Sequence, residues 1–480
     1  MFAFSSNENA VLERKADIGE GSRSVATRDI DCYYELDKCA EWTKKNELNK
    51  ICLQFPDALL CDSVEVALRL GKKIGTVPYI LGDTSYGSCC VDEVAAQHVN
   101  ADGIIHFGHA CLTPTNGSLP KLYVFEKLPV DCHHFVSCFR CVFTCKTTKI
   151  LLLYDVCYQH AVDSIIANIA TDFPNMIVSE LAITNRSPEA DEGTKLGRHF
   201  KLLNESRLEE YSIVFIGRDG PTLSNIALTF LGKDLYWYDP SGTKKLEHYN
   251  VQNNKFLMKR MHLIERIRDA KTMGIVIGTL GASNYLGAVD RLKELAKQRK
   301  KKSYIIAVGK PNVPKLANFP EIDIFVLIAC PENSLLDSKG FYRPIVTPYE
   351  VELACNSNRE WSQGYVLEFQ HLLLGGRHYQ EVEDNLDGTT EDTADISLIT
   401  GQARVMPGWD SSSHSIPTSG VVALKGDSTV STNLATGSEF LTKRSWQGLE
   451  QNLGQNEAVL ASKGQSGVPQ NYDTDLDTMS

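Results

Sequence analysis

The chain has 480 residues, with 49 Lys+Arg against 60 Asp+Glu and a formal net charge of −11, which leaves room for two to four domains at roughly 100–200 residues each. An apolar share of 42% and a charged share of 23% are ordinary globular composition, and the acidic balance argues against nucleic-acid binding, which needs clustered positive charge to neutralise phosphate. The opening MFAFSSNENAVLERK has no basic segment followed by an apolar one, and the longest apolar run, Ile324–Cys330, falls far short of the roughly 20 residues of a membrane span. A soluble, cytoplasmic protein without a membrane partner is therefore expected.

Residues 1–30 read as a flexible N-terminus. Asp31–Lys45 has a helical pattern, with Leu36, Cys39, Ala40 and Trp42 on one face. A first strand at Lys50–Phe55 leads through Pro56-Asp57 to a helix near Ser63–Leu70, followed by strands at Val77–Leu81, Gly103–Phe107 and Lys121–Phe125. The theme returns with a strand at Ile150–Tyr154, a helix near Gln159–Ala170, and strands at Met176–Ile183, Ser212–Ile216 and Asp234–Tyr238. It returns again with Met273–Ile277, a helix near Leu286–Lys297, and strands at Ser303–Val308, Ile324–Ile328 and Pro344–Thr347. Strands alternating with helices predict parallel sheets with helices on their faces, and short unbroken apolar runs suit strands buried on both sides. The repeats start roughly 100 and 123 residues apart, too far for a solenoid unit. The expected fold is α/β: three similar small domains at 31–146, 147–262 and 263–378, each a short, mostly parallel sheet flanked by helices. One large doubly wound sheet with insertions is the alternative. Residues 379–480, acidic over Glu381–Asp395 and then rich in Gly, Ser, Thr, Asn and Gln, read as a largely disordered tail, with Phe440–Leu449 as one segment that could fold back.

The 14 cysteines are not a disulfide framework in a reducing compartment. In open α/β sheets, ligands gather beyond the carboxyl ends of strands, so cysteines that follow strands stand out. Cys89, with Cys90 beside it, follows the second strand of the first repeat. Cys111 follows the third, and Cys330 follows the third strand of the last repeat. The middle repeat places Arg218 at the position of Cys111 and Cys330. Convergence of these thiols would suit zinc or an iron–sulfur cluster, and three thiolates would leave one iron of a four-iron cluster open. No local Cys-x2-Cys joins them, so from spacing alone three buried structural cysteines remain the plainer reading.

Cys132, Cys138, Cys141 and Cys145, with His133 and His134, form a denser group. Phe135, Phe139 and Phe143 interleave, so these read as solvent-shielded linker thiols, with a structural zinc as the alternative. Cys32, Cys39, Cys52, Cys61, Cys157 and Cys355 read as core fillers. Lys297–Lys302 reads as a solvated helix end. Gly278–Gly281 (GTLG) reads as a tight turn, or as an anion-holding turn before a helix. His106 and His109 flank Cys111 and could hydrogen-bond around it or simply pack. No Gly-x-Ser-x-Gly or His-Glu-x-x-His pattern is present.

Gly82–Pro114 (GDTSYGSCCVDEVAAQHVNADGIIHFGHACLTP), QFPDALL (Gln54–Leu60), GIVIGTLG (Gly274–Gly281) and Ile328–Ala354 (IACPENSLLDSKGFYRPIVTPYEVELA) resemble the characteristic blocks of the diphthamide biosynthesis protein 1/2 family. The likeness spans roughly residues 30–375. It implies three similar α/β domains around a central cluster. It also implies a complex that transfers a 3-amino-3-carboxypropyl group from S-adenosylmethionine to a histidine of elongation factor 2, using a reduced [4Fe-4S] cluster. Catalytic family members take one cysteine from each domain. Here Arg218 stands in the middle domain, and this, with the TPYEVELA block and the acidic tail, resembles the second subunit of the eukaryotic pair. The resemblance then implies a [4Fe-4S] cluster on Cys89, Cys111 and Cys330, with Cys89 favoured over Cys90 by ligand spacing. It implies no catalytic residue in this chain and support for reduction of the partner's cluster. The implied partners are the catalytic paralogue (diphthamide biosynthesis protein 1), a small electron-donor subunit (diphthamide biosynthesis protein 3) with an NADH-dependent reductase, and elongation factor 2 as substrate. A self-sufficient radical transferase and a purely structural paralogue are the competing expectations.

Overall fold

The computed structural model describes residues 29–82, 87–117, 119–183, 192–203, 206–249, 255–336, 340–361, 364–382, 396–399, 401, 423–425 and 428–430. The expected flexible N-terminus, most of the expected tail and Phe440–Leu449 lie outside the described residues. The chain divides into two compact units, Met1–Ile416 and Pro417–Ser480. In the second, β-strands Ala423–Lys425 and Ser428–Val430 pair as an antiparallel ribbon.

In the first unit, β1 (Ile51–Gln54), β2 (Tyr79–Leu81), β3 (Gly103–Phe107) and β4 (Lys121–Val124) form one parallel sheet in the order β2-β1-β3-β4. Every residue of β1 and β3 is buried, as their unbroken apolar runs require. The helices Leu36–Lys45 and Ser63–Ile74 cover one face, where Leu36, Cys39, Val66 and Leu70 pack with Ile51, Leu53, Ile105 and Phe107. The expected single helix over Asp31–Lys45 is interrupted: a short turn at Ile30–Tyr33 is followed by Glu35 in the left-handed region (φ 47°), which lets Tyr34 turn into the core.

The second sheet starts with β5 (Ile150–Tyr154) and β6 (Met176–Val178). The expected strand over Met176–Ile183 ends early. Glu180–Leu181 (β7) leaves the sheet and joins β8 (Glu192–Lys195) and β9 (Arg198–Lys201) in a small antiparallel sheet, order β7-β9-β8. The chain then supplies β10 (Ser212–Ile216), β11 (Leu235–Tyr238) and β12 (Leu246–His248), giving the order β12-β11-β10-β5-β6 with only β12 antiparallel. The third sheet, β13 (Thr272–Ile277), β14 (Lys302–Ala307), β15 (Ile324–Ile328) and β16 (Ile345–Val346), is fully parallel in the order β14-β13-β15-β16. Counted within each repeat, all three parallel sheets share one order, second-first-third-fourth. The expected fold class, mixed α/β with mostly parallel sheets flanked by helices, is the one observed.

Side-chain alternation along β5 splits its residues between two cores. Ile150 and Leu152 pack with Cys52 and Ile104 of the first sheet, whereas Leu151 and Leu153 pack with Ile275 and Val326 of the third. The middle sheet is thus sandwiched between its neighbours.

One other expectation changes, and two gain detail. The cysteine-rich stretch is a helix, Cys132–Val142, capped by Asp131 and anchored by Phe135, Val136 and Phe139; Cys132 and Cys138 are half-buried, but Cys141 and Cys145 are exposed rather than shielded. The helix Tyr285–Gln298 ends inside the Lys297–Lys302 run, Lys302 opens β14, and Lys301 donates to the carbonyls of Arg268 and Ala270. The GTLG segment is a turn whose surroundings dock the third sheet onto the first: Ser283 N donates to Pro114 O (2.8 Å) and Asn284 N to Asn116 Oδ1 (2.9 Å).

Candidate metal centre

The chain order of the first sheet reverses between β1 and β3, the place where α/β sheets open a crevice for ligands. Both strands end there in buried polar side chains that hold the loop after β2. Gln54 Nε2 donates to Cys90 O (2.7 Å) and its Oε1 accepts from Asp92 N (2.9 Å). His106 Nε2 meets Ser88 O at 3.1 Å, and burial pulls its pKa down to about 4, so it is a neutral partner. Asp92 then caps the helix Glu93–His98. Cys111, on the loop after β3, donates its N–H to Cys89 O (3.0 Å), tying the two loops together. Cys330 follows β15 and opens the short helix Pro331–Ser334.

Four sulfurs converge. Those of Cys89, Cys90, Cys111 and Cys330 all lie within 4.8 Å of one another. Cys89 and Cys330 are 3.7 Å apart, and Cys90 and Cys111 are 3.6 Å apart. Cys330 is 0% exposed and Cys111 8%. Asn333 Nδ2 donates to the sulfurs of both Cys89 and Cys330 at 3.2 Å, and Thr113 Oγ1 donates to Cys111 Sγ at 3.2 Å. Asn333 comes this close because residue 87 is glycine: a Cβ there would sit 2.0 Å from Asn333 Nδ2. Hydrogen bonds from Cys111, Cys89 and Cys90 pull the Cys330 thiol well below its ordinary pKa, while contacts with Cys111 and Cys330 push Cys89 and Cys90 well above theirs. A buried, sulfur-only donor set of this kind suits thiophilic metals.

A polar network surrounds the sulfurs and joins all three sheets. His109 Nε2 meets Glu332 Oε2 at 2.7 Å and His109 Nδ1 meets Asp155 Oδ1 at 3.4 Å, while Thr222 Oγ1 donates to Glu332 Oε1 at 3.0 Å. Burial disfavours charge on His109, but Asp155 and Glu332 outweigh it and raise the imidazole pKa to about 10. Beside them, buried Arg198 donates to the carbonyls of Tyr154 and Leu196. The turn before it rests on the metal-site loop: Gly197 has φ +68°, and a Cβ there would lie 2.5 Å from Leu112 Cβ and 3.2 Å from Cys111 O.

Among the residues singled out in the sequence, Cys89, Cys111 and Cys330 therefore lie together, with Cys90 as a fourth sulfur. Arg218 is exposed, and the middle sheet adds no sulfur to the group. In the second cysteine group, His134 Nδ1 meets Tyr238 OH at 3.1 Å and Cys138 Sγ at 3.7 Å. Among the described residues no third ligand atom joins that pair. Cys39, Cys52, Cys157 and Cys355 are buried as expected, but Cys32 and Cys61 are exposed.

Comparison with known proteins matches residues 55–366 to the family described as "Putative diphthamide synthesis protein". The chain belongs to the diphthamide synthesis protein family. It is 44% identical to a Danio rerio protein named 2-(3-amino-3-carboxypropyl)histidine synthase subunit 2, over 98% of this chain and 97% of that one. It is 38% identical to the Schizosaccharomyces pombe protein of the same name, over 98% and 95%. A crystal structure described as Dph2 from Pyrococcus horikoshii with a 4Fe-4S cluster has a similar fold (TM-score 0.55, 20% identity), covering 72% of this chain and 96% of that one. Among the described residues of this diphthamide synthesis family member, no helix is long and apolar enough to cross a membrane.

Sequence reasoning missed Asn333, Glu332, Asp155 and Gly197. Three had a visible signal: Glu332 and Asn333 sit in the CPEN run that Cys330 opens, and Asp155 directly follows the first strand of the middle repeat. Gly197 lies in a polar hairpin that carries no such mark.

Proposed function

We propose that the chain is an iron–sulfur subunit of the complex that transfers a 3-amino-3-carboxypropyl group from S-adenosylmethionine to a histidine of elongation factor 2. The observation that carries this reading is the convergence of four sulfurs from the first and third sheets within 4.8 Å, in a chain whose relatives are named subunit 2 of the histidine synthase. Cys89, Cys111 and Cys330 would hold a [4Fe-4S] cluster, with Cys90 as the alternate to Cys89. Bound there, the cluster supplies single electrons, and its potential follows charge, burial and hydrogen bonds to sulfur.

The chain's own residues orient and shield the site. Gln54 and His106 hold the 88–92 loop. Asn333 and Thr113 present N–H and O–H to three of the sulfurs. The His109–Glu332–Thr222 contacts keep the third sheet seated on the other two. In this reading the ranges 31–146, 147–262 and 263–378 act as three domains around the centre. Catalysis lies mainly in the partner paralogue, whose cluster this subunit helps to reduce with electrons from the small donor subunit and its NADH-dependent reductase, in the cytoplasm.

Anaerobic purification with iron, acid-labile sulfide and zinc analysis tests the assignment. Wild type is expected to carry iron and sulfide, and Cys330→Ser to lose most of both; iron retained in Cys330→Ser would remove Cys330 from the site. A second reading has its own observation: the 3.6 and 3.7 Å sulfur pairs match the edge, about 3.8 Å, of a tetrahedral zinc site made of four thiolates with bonds of about 2.3 Å. Stoichiometric zinc without sulfide would favour it. Cleavage of S-adenosylmethionine by this chain alone with a chemical reductant would instead support a self-sufficient transferase. Unchanged complex activity after replacing all the converging cysteines would support a structural paralogue.

A further inference from the structure

A separate cavity, of about 170 Å3, lies between the β8–β9 hairpin, the C-terminal end of the helix Pro221–Thr229 and the segment 364–378. None of its lining residues belongs to the cysteine group. Its lining combines the apolar side chains of Leu196, Val366 and Leu367 with two cations, Lys195 and Arg377, and a single carboxylate, Glu368. That carboxylate already has a partner, His371, at 3.4 Å.

Two hydrogen-bond donors at the cavity are unmatched. Among the described residues, the Lys195 ammonium has no hydrogen-bond or ion-pair partner; the Phe230 ring centroid lies 5.7 Å from its nitrogen, and Glu368 attracts it from beyond ion-pair distance. Burial pulls its pKa below the usual lysine range. Thr229 Oγ1, also in the lining, is buried and has no partner among the described residues. A largely buried cation with no acceptor in contact and a buried hydroxyl without a partner are both unfavourable unless something supplies acceptors. Lys195 can only donate and the Thr229 hydroxyl can donate as well, and two cationic side chains share one carboxylate that already pairs with His371, a balance that favours an anion.

We propose that this cavity binds a small oxyanion, a carboxylate or a phosphate, through Lys195 and Thr229. The volume is enough for inorganic phosphate or a short carboxylic acid. The hairpin that carries Lys195 turns at Gly197 directly onto Leu112 and the Cys111 carbonyl, so the occupant would brace the strand that supports the cysteine loop.

The test uses the full-length, metal-loaded protein in titration calorimetry with inorganic phosphate and, separately, with succinate, against sodium chloride at matched ionic strength. Saturable binding of at least one of the two is expected, and which one saturates identifies the class. Lys195→Gln and Thr229→Val should each weaken it about tenfold or more. In chloride alone, Lys195→Gln should melt at the same temperature or higher, because it removes an unpaired, largely buried cation; if that variant fails to fold, the near-isosteric Thr229→Val decides. No saturable binding of either anion beyond chloride, or unchanged affinity in a folded Lys195→Gln, would overturn the proposal. Cys330→Ser should leave anion binding in place, which separates this site from the metal centre.

Discussion

Asn333 places one amide nitrogen against two sulfurs, Cys89 and Cys330, at 3.2 Å each. Donors to ligand sulfur stabilise the more negative, reduced state of a cluster and so raise its potential. Asn333→Ala is therefore expected to lower the midpoint potential while leaving iron content near wild type; a redox titration followed by electron paramagnetic resonance reads it, and an unmoved potential would rule the role out. At this scale the sequence was partly legible. The residues that follow strands could be picked out because apolar runs mark strands well. Which of the adjacent Cys89 and Cys90 points inward could not, and in the fold both do. Cys32 and Cys61 show the opposite error: they sit in periodic segments, yet the short turns at Ile30–Tyr33 and Asp57–Asp62 leave them exposed.

The β8–β9 hairpin acts on the site through one glycine. Gly197→Ala adds a Cβ 2.5 Å from Leu112 Cβ in a left-handed backbone that alanine disfavours. It should lower iron and sulfide content several-fold and blunt the visible absorbance, with a smaller effect on secondary structure by circular dichroism. The helix Pro348–Cys355 is buried along its whole length, so its two carboxylates need partners. Glu350 takes Arg260 in a two-pronged pair at 2.6 and 2.5 Å and accepts from Thr347 N at 2.8 Å, and Glu352 takes Arg291 at 2.8 Å. Glu350→Gln leaves the Arg260 charge buried and without its counter-charge. It should cost about 3–5 kcal/mol, read as a drop in the urea midpoint. Parallel strands of unbroken apolar residues were predicted within one or two residues of their ends. The hairpin at 192–201 is hard to read from sequence because its buried residues among those described, Leu196, Gly197, Arg198 and Phe200, sit among polar neighbours. The helix Cys132–Val142 reads as a linker in sequence because its cysteines mask the Phe135, Val136 and Phe139 stripe.

The contacts that join the sheets bridge long stretches of chain: Cys89 and Cys330 are 241 residues apart, and His109 and Glu332 are 223 apart. A metal gripped by sulfurs from the first and third sheets would cross-link them and stabilise only the folded state. Removing it under anaerobic chelation should lower the melting temperature. It should also speed amide hydrogen exchange most at 87–92, 108–113 and 328–334, with the interior of β5 and β10 little changed. Uniform loss of protection across all three sheets would show instead that the metal supports the whole fold rather than the junction.

Local order along the chain was sufficient for the α/β class, the threefold repeat of strand and helix, and the shortlist of cysteines that end strands. Burial on both faces and the 2.0 and 3.6 residue periods are short-range effects that leave a mark on neighbouring residues. Packing of sheet on sheet settled the rest: that four sulfurs meet, that Asn333 and Gly197 bear on them, and that the middle sheet contributes Asp155 and Thr222 but no thiol. Those outcomes depend on how twisted layers stack across hundreds of residues, and no local pattern encodes that geometry.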